Sequence, residues 1–274
     1  MRPIGVGVSR VDRDALRAAL ADKYAQVATT PIYTRAVLAA FVRVRHVSVS
    51  LLTLVGVTGV SWLALLNGSM RADSIASFIA GWLVMMTAMM LPAAMPMIMV
   101  FRLGVGPGFW AQWRVVVFLI GYLVVWMAFG LLAFGAQWAG MSLDPIVRTW
   151  SAVGALALAG AYQFSPLKDA CLRTCRSPMD FVVLHWRAGA YGAVRLGVAH
   201  GVYCLGCCWA LMAVLVVAGG MGLAWVAAIA LVIFVERVLP RATVSSRFVG
   251  AAMLGTAAII AVWPKLLPIT VGQM

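Results

Sequence analysis

Seven stretches of this chain, at about 48–67, 77–101, 115–138, 148–165, 196–218, 222–239 and 247–268, are almost free of charge and each run for about 18 residues or more. At 1.5 Å of rise per residue, a helix of that length covers the roughly 30 Å hydrocarbon core of a bilayer. Such stretches leave few folds open. With 64% hydrophobic and 11% charged residues, the chain lies far from a soluble domain, in which about a quarter of residues are charged. No alternating apolar pattern of about ten residues recurs, so an outer-membrane barrel is not expected. The expected fold class is all-α, a polytopic membrane bundle of about seven helices in a bacterial cytoplasmic (inner) membrane, with the lipid bilayer as its first partner.

Nothing before residue 45 has the apolar core of a cleavable signal, so the first span is expected to act as an uncleaved anchor and the chain to begin at Met1. The formal net charge of +13 invites a nucleic-acid reading, yet the positions of the 21 basic residues account for it without one. Eight precede the first span, two flank the loop after the second (Arg102, Arg114), five sit around the loop after the fourth (Lys168, Arg173, Arg176, Arg187, Arg195) and three follow the sixth (Arg237, Arg241, Arg247). Only Arg71, Arg148 and Lys265 fall on the alternate side. Positive loops stay in the cytoplasm, so the N-terminus is expected there and the C-terminus outside. The expected organisation is a basic leader over residues 1–46, with Leu16, Ala19, Leu20 and Tyr24 at helical spacing on a surface helix, followed by the membrane bundle over residues 47–274.

The second span reads "GWLVMMTAMMLPAAMPMIMVF". Met85 and Met89 share one helix face, with Pro92 and Pro96 a turn further on, where a kink is expected. Each proline frees a backbone carbonyl that lipid cannot satisfy, so this half-helix should pack against protein. Thioethers suit Cu(I), while methionine is equally an adaptable packing residue, and both readings stay open. The glycine-rich "RLGVGPGFW" lacks the lysine and hydroxyl of a phosphate loop and is read as a turn. No hydrolase motif and no paired carboxylates within a span appear.

"YQFSPLKDACLRTCRSP" follows the fourth span. Ser165 is a candidate N-cap, Pro166 suits the first helical position and Pro178 closes the segment, so Lys168 to Arg176 is expected as a short interfacial helix with Cys171 and Cys175 on one face. "HGVYCLGCCWALM" opens the fifth span, and on a helix His200, Cys204, Cys207 and Cys208 fall within an arc of about 100° while Trp209 points away.

Residues four apart on that stripe can chelate one ion, but a four-coordinate site needs another segment. Cys171, Cys175, His200 and Cys204 would make the Cys₃His set of structural zinc, leaving the deeper Cys207 and Cys208 for a two-coordinate Cu(I) thiolate site that continues to Met212 or the second-span methionines. Against this stand buried cysteines that merely pack, and a histidine that merely hydrogen-bonds a neighbour. Disulfides are the weakest alternative, because thiols facing the cytoplasm stay reduced. Glu236 is the only acidic residue within any span and is expected to pair with Arg195, Arg237 or the metal-free nitrogen of His200. Tyr162, Gln163 and His46 lie at the same expected face, with Tyr162 a candidate for the shell behind the ligands.

On "MMTAMMLPAAMPM", "YQFSPLKDACLRTCRSP", "HGVYCLGCCWALM" and the glutamate of "VERVLP", residues 75 to 240 resemble a bacterial family of uncharacterised predicted metal-binding integral membrane proteins, some labelled copper chaperone. The resemblance implies metal binding, with copper foremost, at Cys171, Cys175, His200, Cys204, Cys207 and Cys208. The chain departs from it in having Arg237 where lysine is the commoner residue, and in its arginine-rich leader. The expected function is copper handling, with Cu(I) held or delivered to a membrane or periplasmic cuproenzyme and zinc as the alternative metal. A different class is an accessory or electron-carrying subunit of a membrane oxidoreductase, with a structural metal in the thiol cluster. A transporter of an organic substrate is weaker, since no polar path of charges crosses the spans.

Overall fold

Short polar signals mark where the helices begin. The Asp144 side chain accepts a hydrogen bond from the Ile146 N–H, with Pro145 in the first helical position, and Ser165 does the same for Leu167 ahead of Pro166. Both junctions satisfy a backbone donor that the first turn leaves orphaned, and neither proline costs a hydrogen bond there. Ser74 and Ser77 form a reciprocal capping box at another start.

The computed structural model describes residues 44–68, 74–106, 108–217, 222–238 and 242–263. Among them are nine helices and no strand: α1 Val44–Leu66, α2 Ile75–Val105, α3 Phe109–Met141, α4 Pro145–Tyr162, α5 Pro166–Arg176, α6 Pro178–His185, α7 Gly189–Val217, α8 Leu223–Val238 and α9 Ala242–Val262. The fold class is all-α. The leader helix around Leu16 to Tyr24, Arg71, Lys265 and the side chain of His46 lie outside the described residues.

Among the described residues, five helices are long and apolar enough to cross a membrane: Val49–Leu66, Ile75–Val105, Phe109–Gly140, Gly189–Val216 and Thr243–Val262. The other two expected spans are shorter. The fourth is the apolar run Ile146–Tyr162 of α4, and the sixth is α8, whose 16 described residues extend about 24 Å. Most of the long helices outrun the apolar stretch expected for them; α3 starts at Phe109 rather than 115 and α7 at Gly189 rather than 196, because backbone hydrogen bonding continues through the charged residues Arg114 and Arg195 that bounded those stretches.

The main seam joins α3 and α7. Glycine makes it possible. A Cβ placed on Gly197 would collide with the Phe118 carbonyl oxygen, and one on Gly121 would lie 2.5 Å from that of Val194, so the two backbones meet with no side chain between them. Phe118 lies opposite Gly197 and Val125 opposite Gly201, so the helices run parallel. Around this seam α2 packs on α3, α4 and α5 pack on α7, and α9 pairs with α4.

The α2 methionines are core residues. Met85, Met86, Met89, Met90 and Met97 are all buried. The helix continues through both prolines, and the Ala88 carbonyl that Pro92 leaves without its helical donor accepts a hydrogen bond from the Trp62 indole of α1 at 3.1 Å. At the end of α2 the chain turns on Gly106 and Gly108, whose φ angles of 83° and 106° suit glycine, and Arg102 folds back onto the Gly106 carbonyl. The glycine-rich segment is the turn that the sequence indicates.

Candidate metal centre

Helix α7 supplies most of the centre. His200, Cys204, Cys207 and Cys208 are buried along one side, while Trp209 faces outward at 36% exposure and packs edge-on against Tyr162. The expected stripe is therefore present. The Cys207 and Cys208 sulfurs are 3.2 Å apart, and the Cys207 thiol donates to the Cys204 carbonyl at 3.1 Å.

Helix α5 closes over this stripe. Position 206 bears no side chain, and a Cβ there would stand 2.7 Å from the Cys171 sulfur, so Cys171 is seated against the bare α7 backbone. One turn on, the half-buried Cys175 lies beside Cys207. The amphipathic spacing of the two cysteines thus turns both toward α7. Burial, and then the neighbouring Cys207, push the Cys171 thiol above its ordinary value. Pro178 does more than end this helix, because it is also the first residue of α6, an element for which the sequence offered no expectation.

Arg237 of α8 enters the same cluster. Its Nη2 lies 2.8 Å from the Cys204 sulfur, 3.3 Å from Cys207 and 3.9 Å from Cys208, and its Nη1 donates to the Ala93 carbonyl of α2 at 3.3 Å. One hint of this residue's place is visible in the sequence, a basic group beside the only intramembrane carboxylate, which suggests a partner for Glu236. The structure corrects that pairing. Glu236 instead meets Lys168 of α5 at 2.8 Å, both side chains being buried, while Arg195 is exposed on α7 and His200 has no contact with the carboxylate. Lys168 also bonds Gln163, and Ser246 donates to the same amide oxygen at 3.1 Å. Neighbours on a helix point about 100° apart, so Glu236 and Arg237 serve different partners.

His200 stands apart from the sulfurs. Its ring stacks on Tyr122 and Phe118 with centroids 5.4 and 6.2 Å away and meets Phe181 edge-on at 5.8 Å, while neither ring nitrogen has a hydrogen-bond partner. The link to the thiols runs through Tyr122, whose hydroxyl shares a 3.0 Å hydrogen bond with Cys204. The sulfurs gathered around the guanidinium are thus those of Cys204, Cys207 and Cys208, with Cys175 beside Cys207, rather than a set of Cys171, Cys175, His200 and Cys204.

Tyr162 donates to the Gly206 carbonyl at 2.6 Å and braces the α7 backbone. Met85 and Met89 belong to the α2 core, as does the buried Met212 of α7. Among the described residues no three His, Cys, Asp or Glu side chains stand ready-arranged around a metal position. The cationic place among the sulfurs is taken by Arg237. The donors nonetheless fit a soft ion, since thiols select Cu(I) and a buried imidazole with two unpartnered nitrogens retains its capacity to ligate.

Long apolar helices around a buried, arginine-centred thiol cluster define the class of this protein as an all-helical bundle. The family model described as PpoB2, copper chaperone, matches residues 79–260, more than half of the chain, and the chain belongs to that family. No curated protein and no solved structure matches it significantly.

Proposed function

We propose that this protein is embedded in a bacterial inner membrane and takes up Cu(I) on thiols drawn from the group Cys175, Cys204, Cys207 and Cys208, holding it for delivery to a membrane or periplasmic cuproenzyme. The observation that carries this reading is the convergence of the Cys204, Cys207 and Cys208 sulfurs on the buried Arg237 guanidinium, with Cys175 of α5 beside Cys207. Membership of a copper-chaperone family supports the choice of copper over zinc and lends nothing to an oxidoreductase subunit. Cys171 and His200 flank the cluster as further ligands on the path of the ion, with Met85 and Met89 as deeper soft donors and Glu236 and Tyr162 behind them.

Embedding is supported by the exposed surface. Leu52, Val60 and Leu63 of α1 and Leu132 of α3 are strongly exposed, a cost that water imposes and lipid does not. Exposed tryptophans lie near helix ends, with Trp138 in the last turn of α3, Trp225 at the start of α8 and Trp263 just after α9, as in an interfacial aromatic belt. In this reading α4 and α8 complete seven crossings, the leader of residues 1–46 is cytoplasmic, and α5 lies at the inner leaflet. Soft thiolates there accept Cu(I) from the reducing side.

The test is the metal content of the full chain purified in detergent from copper-fed cells. Near-stoichiometric copper is expected, lost in the Cys204→Ser, Cys208→Ser double variant with helix content retained. Unchanged copper in that variant removes α7 from the site.

A further inference from the structure

Arg237 is a buried, permanently charged group with an unusual set of partners. Nη1 has a neutral carbonyl, Nη2 has three sulfurs, and the adjacent carboxylate of Glu236 is engaged by Lys168. No carboxylate pairs with Arg237 among the described residues. A guanidinium does not lose its proton in a protein, and a lone buried charge is costly, so this position calls for one negative charge supplied by the sulfurs.

We propose that Arg237 is the fixed counter-ion of the bound cargo: it matches the single negative charge of a two-coordinate cuprous dithiolate formed by two of Cys204, Cys207 and Cys208. The inference rests on the copper-binding reading above and deepens it. When one Cu⁺ joins two thiols, two protons leave to solvent, two copper–sulfur bonds form, no electron moves, and the complex carries a charge of minus one. Arg237 neutralises that anion. A third thiolate would leave a second negative charge with no partner, so the remaining α7 thiol and Cys175 stay protonated and ready for ligand exchange. Arg237 is thereby a positioning residue, acting through charge on the number of sulfurs that hold the ion.

Charge can be separated from shape by comparing two ions. Silver(I) forms the same anionic dithiolate as Cu⁺ and is stable in air, whereas mercury(II) forms a two-coordinate dithiolate that is neutral. Binding of Ag⁺ and Hg²⁺ to the full chain in detergent is measured by competition with a dithiol chelator, for the wild type, R237Q and R237K. In R237Q the Ag⁺ affinity is expected to fall at least about tenfold while Hg²⁺ changes by less than about threefold, and R237K recovers most of the Ag⁺ loss. Equal losses for the two ions would assign Arg237 a purely structural role and overturn the proposal. The coordination number of Cu(I) in the wild-type protein, read by X-ray absorption, decides the matter even where R237Q does not fold: two sulfurs are expected, and three or more overturn it. A wild type that takes up neither Cu⁺ nor Ag⁺, or holds them equally well after Cys204→Ser with Cys208→Ser, would instead refute the copper-binding reading beneath.

Discussion

Lys168 Nζ sits 2.8 Å from Glu236 Oε2, two opposite charges sealed from solvent and 68 positions apart in the chain. The pair fastens α5, which carries Cys171 and Cys175, to α8, which carries Arg237. This ion pair therefore ties together two of the elements that surround the thiol cluster.

Removing one charge from that pair leaves the other buried and alone. Lys168→Met or Glu236→Leu is expected to cost ~3–5 kcal/mol, and the two together less than either one, because no orphaned charge remains. Chemical denaturation in detergent gives the comparison. A single variant that unfolds at the wild-type midpoint would mean that water reaches the pair.

Gly206 sets how closely α5 approaches α7. Gly206→Ala brings a methyl group to 2.7 Å from the Cys171 sulfur, and ~1–3 kcal/mol of overpacking is expected. Adding Cys171→Ala should restore the stability by vacating that space. Persistence of the full loss in the double variant would place the strain elsewhere.

Two helix glycines should respond in opposite directions. Gly197→Ala drives a methyl group into the Phe118 carbonyl and is expected to lower stability by more than ~2 kcal/mol. Gly154→Ala in α4 meets nothing within 4 Å and should gain about 0.5–1 kcal/mol from helix propensity. Similar melting shifts for both would contradict the close seam between α3 and α7.

His200 occupies an aromatic box without using either nitrogen. His200→Phe keeps the stacking and removes two unpaired polar atoms, so stability should hold or rise by about 1–3 kcal/mol while copper loading falls. Thermal unfolding read alongside metal analysis tests both halves. Unaltered loading would confine His200 to packing.

The features of this protein that are legible in its sequence are those governed by neighbours in the chain. Ser165 and Pro166 begin α5 where their order indicates, because a cap and a fixed φ act within one turn. The stripe on α7 follows from helical periodicity alone, and so does the shared face of Cys171 and Cys175. Pro178 marks the limit of that logic, since a proline that ends one helix is equally fit to start the next, and here it starts α6.

The amino-acid order by itself determined an all-α chain of long apolar helices with soft donors on two segments, since hydrophobic length and the 3.6-residue repeat are local properties. Only tertiary packing decided which charges and sulfurs meet: Glu236 with Lys168, Cys175 with Cys207, and Arg237 among three thiols. Those choices turn on which helix faces lie against one another. The Gly197 and Gly206 contacts set that through steric approach, between residues far apart in the chain.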